Sequence, residues 1–356
     1  MTDCVNHKVR GIIMRNHRVI NKQPLLKPDG SLREPGWSTQ LVQDYRRADI
    51  KKRKSRIKEW DYYSIISNKH NIAVCLTVSD LGYLELESVS FLDFNAPFEH
   101  TQGNMGAFPM GKLNMPRTSV KGDVSVKNSK LSIDYLVRDD KRIIKCNFPQ
   151  FDGGKGIKID IELDYNRTDD TMVIATPWQE DDKAFYYNQK INCMPASGTV
   201  IYDGKTYDFN PETDFGGLDW GRGVWTYDNV WYWGSGSGVV DGHRFGFNIG
   251  YGFGDTSAAS ENVLFYDGVA HKLDDIVFNI SSNYTDNWTF KSSDGRFEME
   301  FEPIIDRNDF TSVANIIVTD QHQVFGRMNG KAILDDGKEI ELKNFLCFAE
   351  KVHNKY

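Results

Sequence analysis

The sequence lacks the features that mark a disulfide-stabilised, zinc-binding or helical membrane protein. Its 356 residues include 5 cysteines, which are scattered and form no Cys-x-x-Cys pair. An odd and dispersed set argues against a disulfide framework and against a structural zinc site. No stretch approaches the roughly 18 consecutive apolar residues of a membrane-spanning helix. Residues 1–7 contain no apolar signal core, so we expect a cytoplasmic protein without a membrane span.

Familiar catalytic and nucleic-acid-binding signatures are also missing. The sequence has no HExxH, GxSxG or P-loop motif. No group of His, Cys and carboxylate residues has metal-ligand spacing, so we expect no metal and no cofactor. The net charge of −7 and the pI near 5.7 argue against binding of an extended nucleic acid. The one basic run, over residues 46–58, is interpreted as a solvated face.

Aromatic residues and alternating patterns are abundant. Aromatic side chains make up 13% of the chain, which favours a β protein with a lined pocket. From about residue 61, apolar and polar residues alternate, as they do in strands with one dry face. Asp-Gly turns, which favour tight hairpins, recur at 203–204, 241–242, 267–268, 294–295 and 336–337. The pattern predicts an all-β antiparallel meander that closes into barrels or deep sandwiches.

The chain is long enough for two packed β units, because single cores rarely exceed about 250–300 residues. The polar stretch 177–183 interrupts the strand pattern, and we place the division near residues 180–195. We therefore expect an extended segment with a short helix over 1–60, a first β unit over 61–190 and a second over 191–356. The helix is predicted from the spacing of apolar residues within 39–60.

The densest aromatic segment is the strongest candidate for a functional site. Four of the eight tryptophans lie between residues 220 and 233. If residues 231–233 form a strand, Trp231 and Trp233 share one face and Tyr232 lies on the other. Two indoles on one face form a flat apolar wall with N–H donors, which suits a ring-containing ligand.

Asp219 and Arg222 are predicted to lie at the two ends of a glycine-flanked turn. In a functional interpretation, Asp219 is an acid or base whose pKa is raised by an aromatic pocket, and Arg222 orients the substrate. In a structural interpretation, Asp219 caps its own turn and pairs with Arg222. The residues themselves leave both interpretations open. Glu261 and His322 are further candidates, although a carboxylate at a strand start or a single histidine in a strand is more often structural.

Several segments in sequence order resemble the microbial family catalogued as domain of unknown function 2804 (DUF2804). They are residues 36–38, 57–63, 80–83, 217–223, 231–234, 248–250, 260–262, 306–307 and 322–326. That family is distantly similar to calycin-like proteins that include carotenoid hydratases and tocopherol cyclases. The resemblance implies two lipocalin-like β-barrels side by side, with a ligand cavity near their junction. It also implies a carboxylic acid that protonates an alkene or enol between aromatic walls.

We therefore hypothesise a cofactor-independent acid–base enzyme acting on a small apolar or hydroxylated molecule by hydration, cyclisation, isomerisation or glycosyl cleavage. Asp219 would be the acid, with Glu261 or His322 as its partner. The predicted substrate-binding residues are Trp220, Arg222, Trp231, Trp233, Asn248, Asn262, Arg307 and Gln323. The alternative is a non-catalytic lipocalin-like carrier of a hydrophobic small molecule. A third interpretation makes the aromatic cluster a simple core. The sequence predicts no oligomeric state.

Overall fold

Strands make up nearly all regular structure of the protein. In the computed structural model, which describes residues 15–313 and 317–355, no α-helix occurs, and three short 3₁₀ helices span Arg47–Asp49, Lys54–Arg56 and Phe151–Gly154. The strands in chain order are β1 Gln23–Pro24, β2 Gly36–Ser38, β3 Gln43–Asp44, β4 Ile57–Ser67, β5 Ile72–Asp80, β6 Leu84–Asp93, β7 Phe98–Ala107, β8 Val124–Lys127, β9 Ser132–Val137, β10 Lys141–Phe148, β11 Ile157–Asp164 and β12 Met172–Pro177. They continue as β13 Phe185–Tyr202, β14 Lys205–Phe209, β15 Phe215–Val224, β16 Asp228–Val240, β17 His243–Tyr251, β18 Val263–Tyr266, β19 Val269–Lys272, β20 Ile276–Asn279, β21 Trp288–Ser292, β22 Phe297–Val313, β23 Ile317–Ile333 and β24 Glu339–Lys355.

Two antiparallel sheets contain almost all of these strands. A 13-stranded sheet has the order β7-β6-β5-β4-β15-β13-β11-β10-β9-β8, with β2, β12 and β14 attached beside it. A 9-stranded sheet has the order β19-β18-β17-β16-β24-β23-β22-β21-β20. Each sheet curls around its own apolar core, and a third core lies between the two sheets. This architecture confirms the predicted all-β class with two antiparallel units side by side.

Three of the five Asp-Gly turns follow the predicted chemistry, whereas Asp294 and Asp336 do not have positive φ. At Asp203-Gly204, Asp241-Gly242 and Asp267-Gly268, both residues have positive φ, as a type I′ turn requires. Each of these turns connects two strands that pair directly. The Asp-Gly signal therefore identified real hairpins in the chain.

The predicted helix within residues 39–60 is wrong. This segment is extended, apart from two 3₁₀ turns, and β4 begins at Ile57. Tertiary contacts override the apolar spacing: the Tyr45 hydroxyl donates to the buried Glu59 carboxylate at 2.7 Å, and Arg47 also pairs with Glu59. A helix would leave that buried carboxylate without these partners.

The two sheets meet along a bend in β13. Its register shifts between Ile191 and Met194, and Cys193 has a φ of 58°. The bulged Asn192 donates to the Ser235 hydroxyl at 2.8 Å and to the Phe247 carbonyl at 3.1 Å, both on the second sheet. A bulge bends its strand and redirects side chains. Here it brings the first sheet against the second.

Sheet membership changes between the end of β15 and the start of β16. Both β13 and β15 pair within the first sheet, so the first sheet extends past residue 190 to Val224. The proposed domain limits 1–60, 61–190 and 191–356 remain a prediction. For the site, the important consequence is that β15 and β16 lie on opposite sides of the junction.

Candidate active site

A cavity of about 200 Å³ lies between the two sheets. Its walls are largely aromatic, and they come from both sheets and the adjoining loops: Trp60, Tyr62, Trp225, Trp231, Trp233 and Phe253. Its charged and amide side chains are Lys58, Asp219, Arg307, Gln321, Gln323, Glu350 and Asn354. Apolar walls with a few convergent polar groups are typical of small-molecule sites.

A row of side chains across the second sheet forms one side of the cavity. Strand register places Arg307 of β22 beside Gln323 of β23, Gln323 beside Glu350 of β24, and Glu350 beside Trp233 of β16. Residues paired directly across antiparallel strands direct their side chains to the same face. The backbone pairing therefore gathers a cation, an amide, a carboxyl and an indole at one place.

A second row on the first sheet faces it. Register pairs Lys190 of β13 with Asp219 of β15, Asp219 with Tyr62 of β4, and Tyr62 with Thr77 of β5. The Tyr62 hydroxyl donates to the Gln323 Oε1 at 3.2 Å, which joins the two rows across the cavity. The site thus depends on how the two sheets pack, as well as on either sheet alone.

Glu350 is a buried carboxyl in the cavity wall with an unusual environment. Its side chain accepts hydrogen bonds from Trp231 Nε1 and Gln323 Nε2, both at 3.0 Å. The residue is 5% exposed. Burial raises the pKa of Glu350 to about 7; the Trp231 bond and the nearby Lys190 and Arg307 charges oppose this rise, and Asp219 adds to it. Both protonation states of this carboxyl are therefore accessible near neutral pH.

Asp219 has a counter-charge of its own. Its Oδ2 lies 2.9 Å from the Lys190 ammonium, and its Oδ1 accepts a hydrogen bond from Asn188 at 2.6 Å. The Lys190 Nζ also lies 3.7 Å from the centre of the Trp233 ring. At 8% exposed, Asp219 is shielded from solvent yet lines the cavity, so the buried ion pair sets part of the charge at the site.

The tryptophan wall depends on a glycine in β15. Trp60 and Trp225 meet edge to face at 5.6 Å, and Trp225 and Trp231 do so at 5.1 Å. A Cβ on Gly221 would lie 2.0 Å from the Trp60 ring, so only glycine leaves room for this indole. The glycines of this segment therefore lie on the cavity side of a strand.

Lys58 is a second titratable group with an altered environment. It is buried, lines the cavity and donates to the Leu81 carbonyl at 3.0 Å. Burial holds the pKa of Lys58 well below its ordinary value, the Arg56 charge lowers it further, and Asp80 opposes the change. A lysine amine in such surroundings can exchange a proton more readily than a solvated one.

The family assignment follows from comparison of the whole sequence. The model for the domain of unknown function DUF2804 matches residues 16–356. The chain belongs to the DUF2804 family. Comparison of this DUF2804 chain with the curated proteins finds no match.

Several solved structures are similar to this DUF2804 protein at low identity. Kievitone hydratase from Nectria haematococca is 12% identical, with 94% of this chain and 98% of that chain covered and a TM-score of 0.46. A protein from Nitrosomonas europaea assigned as AttH is 12% identical, with 86% and 95% covered and a TM-score of 0.47. CghA in complex with Sch210972 is 8% identical, with 85% and 89% covered and a TM-score of 0.40.

Five of the residues predicted for the site line this cavity, and others face elsewhere. Those at the cavity are Asp219, Trp231, Trp233, Arg307 and Gln323. Trp220 and Arg222 lie in the first sheet's interior instead. The predicted turn between Asp219 and Arg222 is wrong, because Asp219 and Arg222 both belong to β15. Strand alternation sends residues 219 and 222 to opposite faces. Arg222 pairs with Asp61 at 3.0 Å.

Glu261, Asn248 and Asn262 lie behind the cavity wall. The Trp233 N–H donates to Asn248 at 2.7 Å, and Asn248 donates to the Glu261 carboxylate at 3.2 Å. Asn262 accepts from the Gly250 N–H at 2.7 Å. Burial raises the pKa of Glu261 to about 7, while the Lys190 charge opposes it. These residues position the indole and the strands that support it.

His322 lies on the other face of β23 from the cavity residues Gln321 and Gln323. Its Nδ1 is 2.7 Å from an Asp306 carboxylate oxygen, and its ring stacks on Tyr284 at 3.7 Å. In this DUF2804 chain it therefore contacts side chains of the second sheet. Its predicted catalytic role remains a prediction.

Glu350 was missed by the sequence analysis, although a local signal exists. It follows an apolar run, Phe345-Leu346-Cys347-Phe348-Ala349, within one strand. A carboxylate within such a run is rarely buried without a role.

Two further findings concern metals and membranes. In the part of the chain that the structure describes, no group of three or more His, Cys, Asp or Glu side chains is arranged to hold a metal ion. Within residues 15–313 and 317–355, no helix has the length and apolar character needed to cross a membrane.

Proposed function

We propose that the protein is a cofactor-independent acid–base enzyme that acts on a small, largely apolar molecule in the cavity between the sheets. The reaction would be hydration, cyclisation, isomerisation or glycosidic cleavage. The observation that carries the proposal is that two buried carboxyls, Asp219 and Glu350, line a single aromatic cavity. Convergent carboxyls in a pocket shielded from water are an arrangement suited to proton transfer.

Glu350 is the proton donor in this proposal. A group with a pKa of about 7 is partly protonated at neutral pH and can be reprotonated after each turnover. The surrounding indoles would stabilise positive charge that develops on the substrate, as the Trp233 ring already does for the Lys190 ammonium. Lys58 is the group best placed to accept a proton, because it lines the same cavity.

Asp219, the acid predicted from the sequence, takes a supporting role here. It forms an ion pair with Lys190; the Lys190 charge opposes the raised pKa of Glu350, and the Asp219 charge adds to it. A carrier protein would be favoured by a cavity whose polar groups were only indole N–H and tyrosine O–H. The two carboxyls count against that alternative. A cytoplasmic location remains part of the proposal.

Metabolite profiling with a matched pair of variants tests the proposal. Purified protein is incubated with a small-molecule extract, and Glu350→Gln is compared with Glu341→Gln, an exposed glutamate on the same strand. We expect the wild type and Glu341→Gln to deplete one substrate and Glu350→Gln to leave it intact. Because the acid must be protonated, turnover should fall as the pH rises through about 7.

Two outcomes would count against the enzyme. Full turnover by a folded Glu350→Gln variant would remove the acid assignment. Retention of an extract component without any product would indicate a carrier. Repeating the reaction in D₂O separates the reaction classes: protonation of carbon leaves a stable C–D bond in the product, whereas protonation of a glycosidic oxygen leaves none.

A further inference from the structure

Arg307 is a cation at the cavity wall with few partners. Its Nη1 donates one hydrogen bond, to the buried Ser90 hydroxyl of β6 at 2.7 Å. Among the described residues, no carboxylate lies within 4.0 Å of its guanidinium, and no other acceptor bonds to it. A guanidinium has five N–H donors, so the protein's own groups satisfy a small part of its capacity.

Two buried cations near the cavity, Arg222 and Lys190, each have a carboxylate partner. Arg222 pairs with Asp61 at 3.0 Å and donates to backbone carbonyls of Trp60 and Gly221. Lys190 pairs with Asp219 at 2.9 Å. Burying a charge without an opposite partner is costly, which explains these pairs. Arg307, which lines the cavity, has no such partner among the described residues.

The charge balance of the cavity points the same way. The Lys190 and Asp219 charges offset each other within their ion pair. The Glu350 carboxyl accepts hydrogen bonds from Trp231 and Gln323, and it forms no ion pair with Arg307. The guanidinium of Arg307 therefore has no carboxylate of the described residues in direct contact, although the Glu350 charge lies near it.

We propose that the ligand of this cavity is a carboxylic acid whose carboxylate binds Arg307. This inference rests on the proposed function and names its substrate class. A guanidinium binds a carboxylate through two parallel hydrogen bonds, and it is weakly hydrated enough to do so in a shielded site.

The strand register also sets where the reactive part of this acid would lie. Arg307 and Glu350 are two strands apart, with Gln323 between them. Since neighbouring strands are about 4.8 Å apart, the backbones of these residues are separated by about 10 Å. The substrate is thus an apolar acid in which the group that receives the proton lies several bonds from the carboxylate.

Calorimetric titration with a matched pair of probes tests this inference. The probes are 3-phenylpropanoate and its neutral counterpart 3-phenylpropanamide. We expect the wild type to bind the acid about tenfold or more tightly than the amide, and Arg307→Gln to lose that preference. Arg327→Gln is the control, because Arg327 lies outside the cavity and donates to Asn344 and Asn71. It should behave as the wild type.

The free protein provides a second measurement. If Arg307 served the fold alone, Arg307→Gln would lower the melting temperature, whereas relief of an unpaired charge should leave it unchanged or raised. Equal binding of both probes by the wild type, or a preference that survives in Arg307→Gln, would overturn the inference. If neither probe binds, the melting temperature is measured with and without formate. An increase in the wild type that is absent in Arg307→Gln supports the carboxylate site, and equal changes in both proteins reject it.

The two proposals can fail separately. Glu350→Gln is expected to abolish turnover and to keep the preference for 3-phenylpropanoate, because it leaves Arg307 in place. Loss of the preference only in Arg307→Gln supports the carboxylate site whatever the profiling shows. Turnover of a neutral substrate that is unaffected by Arg307→Gln would retain the enzyme and reject the acid as its substrate class.

Discussion

The interior of the first sheet and the space between the sheets differ in the partners that they give to charged side chains. Inside the first sheet, Arg222 pairs with Asp61 and Arg47 pairs with Glu59. Between the sheets, Lys190 pairs with Asp219, whereas Arg307 and Glu350 line the same cavity and form no ion pair within the described residues. Paired buried charges are part of a scaffold, whereas charges kept apart in a cleft mark a site that acts on something else.

The same strands supply both regions. In β15, Arg222 faces the first interior and Asp219 faces the cavity. In β4, Asp61 faces the first interior and Tyr62 faces the cavity. Because side chains alternate along a strand, one sequence segment can carry a structural face and a functional face. Neighbouring residues of the same strand therefore face different regions.

The largest effect is expected from breaking a scaffold pair. Arg222→Met should destabilise the fold by about 3–5 kcal/mol, because it leaves the Asp61 carboxylate buried without its cation. Urea unfolding of wild type and variant at pH 7 measures the change. The matched control is Arg138→Met, which removes an exposed pair with Asp123 and should change little. An equally small loss of unfolding free energy for Arg222→Met would mean that the first interior tolerates an unpaired charge, which would contradict the contrast between the two regions.

Alternation also explains which parts of the site could be predicted from the sequence. Period two placed Trp231 and Trp233 on one face, and both line the cavity. The same rule would have separated Asp219 from Trp220 and Arg222, but the glycines at 217, 221 and 223 suggested a turn. They belong to a strand instead, where Gly221 makes room for the Trp60 indole.

Glu350 and Lys190 could not be placed by local pattern alone. Their roles depend on the strand pairings Gln323–Glu350 and Lys190–Asp219, and on the packing of two sheets formed by distant parts of the chain. The all-β class was accessible from alternation and Asp-Gly turns. The helix expected within 39–60 failed because the buried Glu59 draws that segment into extended contact.

An intermediate effect should come from filling the space that Gly221 leaves open. Gly221→Ala places a methyl group 2.0 Å from the Trp60 ring, so the cavity wall must shift, at a cost of about 1–3 kcal/mol. Gly217→Ala is the control: it lies on the same face of β15, and its nearest neighbour, the Ile191 carbonyl oxygen, is 3.5 Å away. We expect unfolding experiments to show a loss for Gly221→Ala and little change for Gly217→Ala. Similar losses for both would show that this face tolerates no methyl group at all.

The smallest and sharpest test concerns the single hydrogen bond from Trp231 to Glu350. Because burial raises the pKa of Glu350 from 4.5 to about 7, the folded state holds this proton more tightly than the unfolded state, and stability falls as the pH rises between those values. The Trp231 N–H stabilises the ionised form of Glu350, so Trp231→Phe should raise the pKa of Glu350 above about 7. The fall in the free energy of unfolding should then continue to higher pH and become larger by about 0.5–1.5 kcal/mol. Urea unfolding from pH 5 to 9 measures the slope. Trp233→Phe is the control, because the Trp233 N–H donates to Asn248 and not to Glu350. Its free energy of unfolding should differ from that of the wild type by the same amount at every pH. If the two variants show the same pH dependence, the titrating carboxyl lies elsewhere.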